Sequence, residues 1–270
     1  MRVAFQGEPG AYSEQAVYGY FGDVQAVPCE SFDSVFECVS LKDCEAGMIP
    51  IENSLAGSIH QNYDLLLKNN LHITGEYLLR VRHCLIAAPG VLKTGIRKAI
   101  SHPQAFGQCA GYLKAHEIRS EAVFDTAGSV KMLKESGSHE VAAIASRRAA
   151  EIYGMQVLEE GIEDNPENYT RFLVIAADNA APRGESNTSI VFTLKNQPGA
   201  LFNALRLFAQ RDIDLTKIES RPLVGKPWEY LFYIDFAGAV GEEPVDVALE
   251  QLGEYALTLR VLGSYPRFKR

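Results

Sequence analysis

The chain has 270 residues, 47% of them hydrophobic and 22% charged, with a formal net charge of −8. That is an ordinary globular composition with enough apolar residues for a sizeable core, and an acidic chain without a clustered basic run excludes nucleic acid as the main partner, since phosphates call for grouped Lys and Arg. No apolar stretch approaches the ~18 residues of a membrane span, no basic-then-apolar leader opens the chain, and Cys29, Cys38, Cys44, Cys84 and Cys109 contain no C-x-x-C pair, so they read as reduced thiols of a cytoplasmic protein without a structural metal.

In chain order, one theme recurs. A short apolar strand ends in small or polar residues, and a helix is expected to start there. Residues 2–6 run into Gly7, Gly10, Tyr12 and Ser13, and residues 46–51 into Glu52-Asn53-Ser54. Residues 96–100 run into Ser101-His102-Pro103-Gln104, 122–124 into Asp125-Thr126, and 141–145 into Ser146-Arg147. Ser, Thr, Asn and Asp cap helices, and Pro103 suits a first helical turn. Alternating strands and helices predict an α/β fold with mainly parallel sheets. Ligands of such sheets bind beyond the carboxyl ends of strands, where helix N-termini suit an anion. Residues 78–88 and 169–176 are each strand-like and long enough to cross between two lobes. Two such crossings predict a hinged cleft of the kind found in bilobal solute-binding folds.

Asp178 to Asn187 is polar, with Pro182 and Gly184, and marks a break. Beyond it the pattern reads strand 188–195, helix 199–211, strand 214–221, strand 228–236, helix 245–255, strand 257–264. Leu201, Leu205 and Phe208 have the spacing of a buried helical stripe. The order βαββαβ is ferredoxin-like.

Dinucleotide, P-loop, zincin and serine-hydrolase motifs are absent from the sequence. Any reaction must then run on hydroxyls, amides, an arginine and at most one His or Glu. The most informative segment is Tyr153 to Ile175, where a polar loop enters an apolar strand through Thr170-Arg171-Phe172. An arginine there is either a solvated edge residue or a bidentate grip on a carboxylate.

That segment resembles the Thr-Arg-Phe signature of prephenate dehydratases, with Tyr153, Met155, Leu158, Asp164 and Thr170-Arg171-Phe172-Leu173 in the family's spacing. Gly7-x-x-Gly10-x-Tyr12-Ser13, Pro50-Ile51-Glu52-Asn53-Ser54 and His102-Pro103-Gln104-Ala105 also resemble family motifs. Gly199-Ala200-Leu201-Phe202 and Glu219-Ser220-Arg221-Pro222 resemble the regulatory ACT domain of these enzymes. The resemblance spans essentially the whole chain. It implies an α/β catalytic domain at 1–178 of type II periplasmic-binding form, with lobes of roughly 1–80 plus 165–178 and 81–164. A linker at 179–187 and an ACT domain at 188–270 would follow. Nothing ahead of the first strand matches a chorismate mutase helix bundle, so a monofunctional enzyme is expected.

The activity implied is a cofactor-free carbon–oxygen lyase step in phenylalanine biosynthesis, from prephenate to phenylpyruvate with loss of water and carbon dioxide. Thr170 would assist the departing hydroxyl and Arg171 would hold a carboxylate. Ser13, Glu52, Asn53, Ser54, His102, Gln104, Ser146 and Phe172 would complete the substrate site, with Glu52 and His102 as rival proton donors. L-phenylalanine would act as feedback effector at Gly199, Ala200, Leu201, Phe202, Glu219, Ser220, Arg221 and Pro222. ACT pairing implies a homo-dimer or tetramer. Two alternatives stay open: an arogenate dehydratase, and a non-enzymatic small-anion sensor built on the same cleft.

Overall fold

A computed structural model describes residues 1–179, 181–223, 225–226 and 228–268. It runs β1 (Arg2–Gln6), α1 (Tyr12–Phe21), β2 (Gln25–Cys29), α2 (Phe32–Ser40), β3 (Ala46–Asn53), the two-residue β4 (Gly57–Ser58), α3 (His60–Lys68) and β5 (His72–Arg80). Then come β6 (Cys84–Ala87), β7 (Lys98–Ser101), α4 (Pro103–Gln108), α5 (Ala110–Ala115), β8 (Arg119–Ala122), α6 (Thr126–Ser136), β9 (Val141–Ala145), α7 (Arg147–Tyr153), β10 (Gln156–Glu160) and β11 (Tyr169–Ala176). The chain ends with β12 (Ser186–Thr193), α8 (Ala200–Ala209), β13 (Leu215–Pro222), β14 (Tyr230–Ala237), α9 (Glu243–Tyr255) and β15 (Thr258–Pro266). The chain divides into two compact units, residues 1–69 with 77–173, and residues 70–76 with 174–270. Among the described residues no helix is long and apolar enough to cross a membrane.

The first unit is built on two sheets. One has the order β2-β1-β3-β11-β5 with β4 paired to β3, the other β10-β6-β9-β7-β8. β1 is parallel to β2 and β3, and its Val3, Ala4 and Phe5 are fully buried, as suits a strand covered on both faces. The second sheet shows why its strands are rich in alanine. Leu85, Ala87, Ala99, Ala142 and Ile144 pack with Ala105, Cys109 and Leu113 of the α4–α5 segment. The alternate residues Cys84, Ile86, Ile100, Ala143 and Ala145 pack with Ala127, Val130 and Leu133 of α6 and Ala149 of α7. The period of two sends successive residues to opposite faces, and small side chains let helices approach both.

Several expectations are corrected. The run 78–88 is not one strand: β5 ends at Arg80, residues 81–83 leave the ladder, and β6 starts in the other sheet. Val81 N–H donates instead to the Asn168 carbonyl at 2.8 Å. The return crossing is made by the loop 161–168, because β11 lies wholly in the first sheet. No helix starts at Ser54, since β3 continues through Glu52 and Asn53 into the β4 hairpin. The strand expected at 122–124 ends at Ala122, and Asp125 caps α6 by accepting from the Gly128 N–H. The second sheet is mixed rather than mainly parallel: β6 pairs antiparallel with β9 and β10, while β7 is parallel to β8 and β9.

In the second unit, four antiparallel strands in the order β13-β14-β12-β15 alternate in sequence with α8 and α9. This is the expected βαββαβ arrangement. Phe192, Phe208, Ile234, Phe236 and Leu252 are fully buried in its core, each contributing about 1.5–3 kcal/mol of apolar burial. The buried line of α8 is Ala200, Ala204 and Phe208, one residue round from the stripe expected, with Leu201 and Leu205 at its border. The small alanines let the helix sit close on the sheet.

Candidate functional site

A cavity of about 570 Å³ opens in the first unit. The starts of α1, α2, α4 and α6 reach its wall through Tyr12 and Ser13, Ser31 and Phe32, His102 and Gln104, and Asp125 and Thr126. Three of the five helix starts expected around a small anion, those of α1, α4 and α6, reach the wall and are joined there by α2, which was not expected, while no helix starts at Ser54 and α7 lies outside the lining. These starts bring partial positive charge. Pro103 opens α4, and His102 caps it by accepting from the Gln104 N–H at 3.2 Å.

Six of the expected residues line this cavity: Ser13, Asn53, His102, Gln104, Thr170 and Phe172. Four do not. Arg171 lies between Thr170 and Phe172 on β11, so strand alternation turns it to the other face. Glu52 precedes Asn53 on β3 and is likewise outside the lining. Ser54 is a brace: its Oγ donates to the Glu167 carbonyl at 2.8 Å and accepts from the Tyr169 N–H at 2.9 Å. Ser146 caps α7 and donates to the Gly10 carbonyl at 2.6 Å. Gly10 meets α7 so closely that a Cβ would sit 2.6 Å from the Ala149 Cα, and its φ of +95° is one that glycine alone adopts readily. This contact docks the loop that leads to Tyr12 and Ser13.

The carboxylate-binding role expected of Arg171 therefore does not follow from this geometry. Among the described residues the lining contains Glu30 and Asp125 but neither Lys nor Arg. An anion here would be held by amides, hydroxyls, histidines and helix starts.

A continuous hydrogen-bonded chain runs behind the wall, and its direction is fixed at one end. The Asn53 Oδ1 accepts from Leu55 N–H at 3.1 Å and Ala56 N–H at 3.0 Å. Its NH₂ group must then face the Asn168 Oδ1 at 2.8 Å, the Tyr169 carbonyl at 3.1 Å and the Thr170 Oγ1 at 3.0 Å. The Asn168 NH₂ in turn donates to the Gln108 Oε1 at 3.0 Å. That oxygen also lies 2.8 Å from the His83 Nε2, which places the imidazole proton on Nε2. The Tyr12 hydroxyl lies 2.9 Å from the His83 Nδ1 and also donates to the Arg82 carbonyl at 2.9 Å, so its one proton is shared between the two acceptors. Burial raises the Tyr12 pKa well above its usual value, so the phenol remains a donor. Thr170 is the chemical end of this chain. Its oxygen accepts from Asn53, so its own proton is free to be given to a ligand.

Tyr12, His83, Gln108 and Asn168 were not expected as site residues. Tyr12 stood inside a motif, but His83 and Asn168 lie in segments whose crossing between sheets only the fold reveals. Burial lowers the His83 pKa from its ordinary 6.5, against opposing contributions from Gln108 and Glu163. On acidification the unfolded chain therefore takes up the proton first. The stability is intact above pH 6.5 and is lost as pH falls below it. His83→Gln is expected to flatten the fall in melting temperature between about pH 7 and about pH 5. Thermal melts of both proteins across that range check this, and parallel curves would exclude His83 as the titrating group.

The eight residues expected to bind phenylalanine lie in the second unit, and none lines this cavity. Gly199 caps α8 in left-handed conformation, φ 81°, and a Cβ there would meet only the Asn203 Nδ2, at 3.9 Å. Glu219 to Pro222 end β13, an edge strand. The Asn196 amide donates to the Trp228 carbonyl at 3.1 Å, tying the approach to α8 to the connection between β13 and β14.

Comparison with known proteins gives consistent matches. The model of the prephenate dehydratase family matches residues 3–180, and that of the ACT domain residues 188–254. A chloroplastic arogenate dehydratase/prephenate dehydratase 2 of Arabidopsis thaliana is 48% identical over 98% of this chain and 73% of its own length. Among solved structures, prephenate dehydratase in complex with L-Phe from Arthrobacter aurescens has a TM-score of 0.91 and 33% identity, covering 99% of this chain and 90% of that one. GqqA, described as a novel type of quorum quenching acylase, has a TM-score of 0.93 and 34% identity, covering 99% of this chain and 98% of that one.

Proposed function

The chain belongs to the prephenate dehydratase family, and from that premise we propose that it converts prephenate to phenylpyruvate with loss of water and carbon dioxide. One observation carries the reading: Thr170 faces the cavity with its oxygen already bonded by Asn53 at 3.0 Å. As carbon dioxide leaves, its bonding electrons move into the ring and the ring hydroxyl departs. The product becomes aromatic, so the electrons need no external acceptor. What the protein supplies is orientation and a proton, or a polarising hydrogen bond, to the departing oxygen. Thr170 gives that bond. Gln104, Ser13 and the helix starts hold the substrate's carboxylates in place of Arg171.

A second reading has its own support. Among the described residues the cavity wall carries the carboxylates of Glu30 and Asp125 and neither Lys nor Arg, which favours a substrate with an amino group. Arogenate differs from prephenate by having one. Comparing kcat/KM for the two substrates decides between them, with alkaline phenylpyruvate absorbance for one and released phenylalanine for the other. An N-acyl amide in the same panel tests the activity named for GqqA. Hydrolysis of that amide without dehydration would overturn the proposal, and binding without turnover of any substrate would favour a sensor.

The ACT domain is the proposed seat of feedback by phenylalanine, in a dimer or tetramer paired through it. A cytoplasmic location is part of the proposal, supported by five cysteines that are all free thiols. Gly199→Val puts a β-branched residue at φ 81°, strained by roughly 1–3 kcal/mol. It is expected to abolish phenylalanine inhibition while leaving uninhibited kcat within about twofold. Inhibition curves for both proteins check this, and unchanged inhibition would reduce the module to a pairing element.

A further inference from the structure

Away from the cavity lies a pair of thiols. Cys38 is in the last turn of α2, and Cys44 precedes β3. The N–H groups of Asp43 and Cys44 both donate to the Cys38 carbonyl, at 3.0 and 3.1 Å. This folds residues 39–43 into a closed loop, which Lys42 completes at a φ of 63°. The two Sγ atoms lie 2.6 Å apart, where a covalent S–S bond is about 2.05 Å. Cys44 is 1% exposed, whereas Cys38 is half-buried and can be reached from solvent.

We propose that Cys38 and Cys44 are a redox-modification site that closes to a reversible intrachain disulfide through exchange with a small-molecule disulfide. The Cys38 thiolate attacks one sulphur of the external disulfide, whose S–S bond breaks and releases a thiolate that takes up a proton. The Cys44 sulphur, giving its proton to solvent, then attacks the Cys38 sulphur and expels the second external thiol. Two protein thiols are oxidised and one external disulfide is reduced to two thiols. The roles of the two cysteines are unequal. Burial, with Cys38 beside it, pushes the Cys44 thiol up to about 12, so the more accessible Cys38 attacks first and Cys44 resolves. The bond would fasten α2 to β3. The opposite ends of these elements supply Ser31, Phe32 and Asn53 to the cavity wall.

The native chain is equilibrated with glutathione disulfide and glutathione, quenched with acid, and its peptides are weighed. The expected product is a peptide carrying Cys38 and Cys44 that has lost two hydrogens and regains them with dithiothreitol. The native protein should form it ~10-fold or more further than the urea-unfolded chain at the same poise, because the fold holds the sulphurs together. In Cys44→Ser, glutathione should stay attached at Cys38, and Cys29→Ser should behave as the parent chain. Persistent glutathione on Cys38 in the parent chain, a bond from Cys38 to Cys29, or equal oxidation of native and unfolded chains would each overturn the proposal.

Discussion

Thr170→Ala is expected to lower kcat by about 10²–10⁴-fold with little change in KM, the size of a lost positioned proton donor. Thr170→Ser should keep most of the turnover, because it keeps the hydroxyl. Thr170 is 8% exposed, so water replaces the missing group poorly. His102→Ala is the control. The His102 Nδ1 is occupied by the Gln104 N–H, and its loss removes a helix cap of about 1 kcal/mol. Its kcat should fall far less than that of Thr170→Ala. Steady-state kinetics of the three variants decides the matter, and near-normal turnover in Thr170→Ala would reassign the proton to His102.

The second large effect is expected at Asn53, and two substitutions separate its roles. Asn53→Ala removes the acceptor for Leu55 and Ala56 and the donor to Asn168 and Thr170. It should cost about 2–3 kcal/mol of stability, since buried partners are left unmatched, and roughly 10–100-fold in kcat. Asn53→Asp keeps the acceptor, so the turn into β4 should survive. The carboxylate, however, can only accept, and it draws the Thr170 proton away from the cavity. Its kcat should therefore fall at least as far as that of Asn53→Ala, while the buried carboxylate, facing the Asn168 Oδ1 and the Tyr169 carbonyl, carries a stability cost of its own. If the two variants lost stability and activity in the same proportion, Asn53 would be a structural turn residue only.

Much of the site was readable from residue types at strand ends. Ser13, Asn53, His102 and Gln104 were found this way, Thr170 and Phe172 came from the segment that resembles the Thr-Arg-Phe signature, and all six line one cavity. The expected residues that fall outside the lining share a cause. Glu52, Ser54, Arg171 and Ser146 are sequence neighbours of cavity residues, or helix caps. A run of motif letters does not say which face of a strand each letter takes. Arg171 is the clearest case: two cavity residues flank it, and the two-residue period of β11 sends it the other way. The amide chain was invisible for a different reason. Asn53 and Asn168 are 115 positions apart, and Gln108 and Asn168 are 60 apart.

The sequence by itself determined the alternation of strands and helices, the βαββαβ order of the last third, and the polar residues at the helix starts. Each of these depends on local periodicity and capping chemistry, which act over a few residues. Only the tertiary structure decided where the chain crosses between sheets, which face of β11 lines the cavity, and which group donates to the Thr170 oxygen. Those depend on pairings between distant segments. The decisive one is small: two backbone N–H groups turn the Asn53 amide, and that amide leaves Thr170 free to donate.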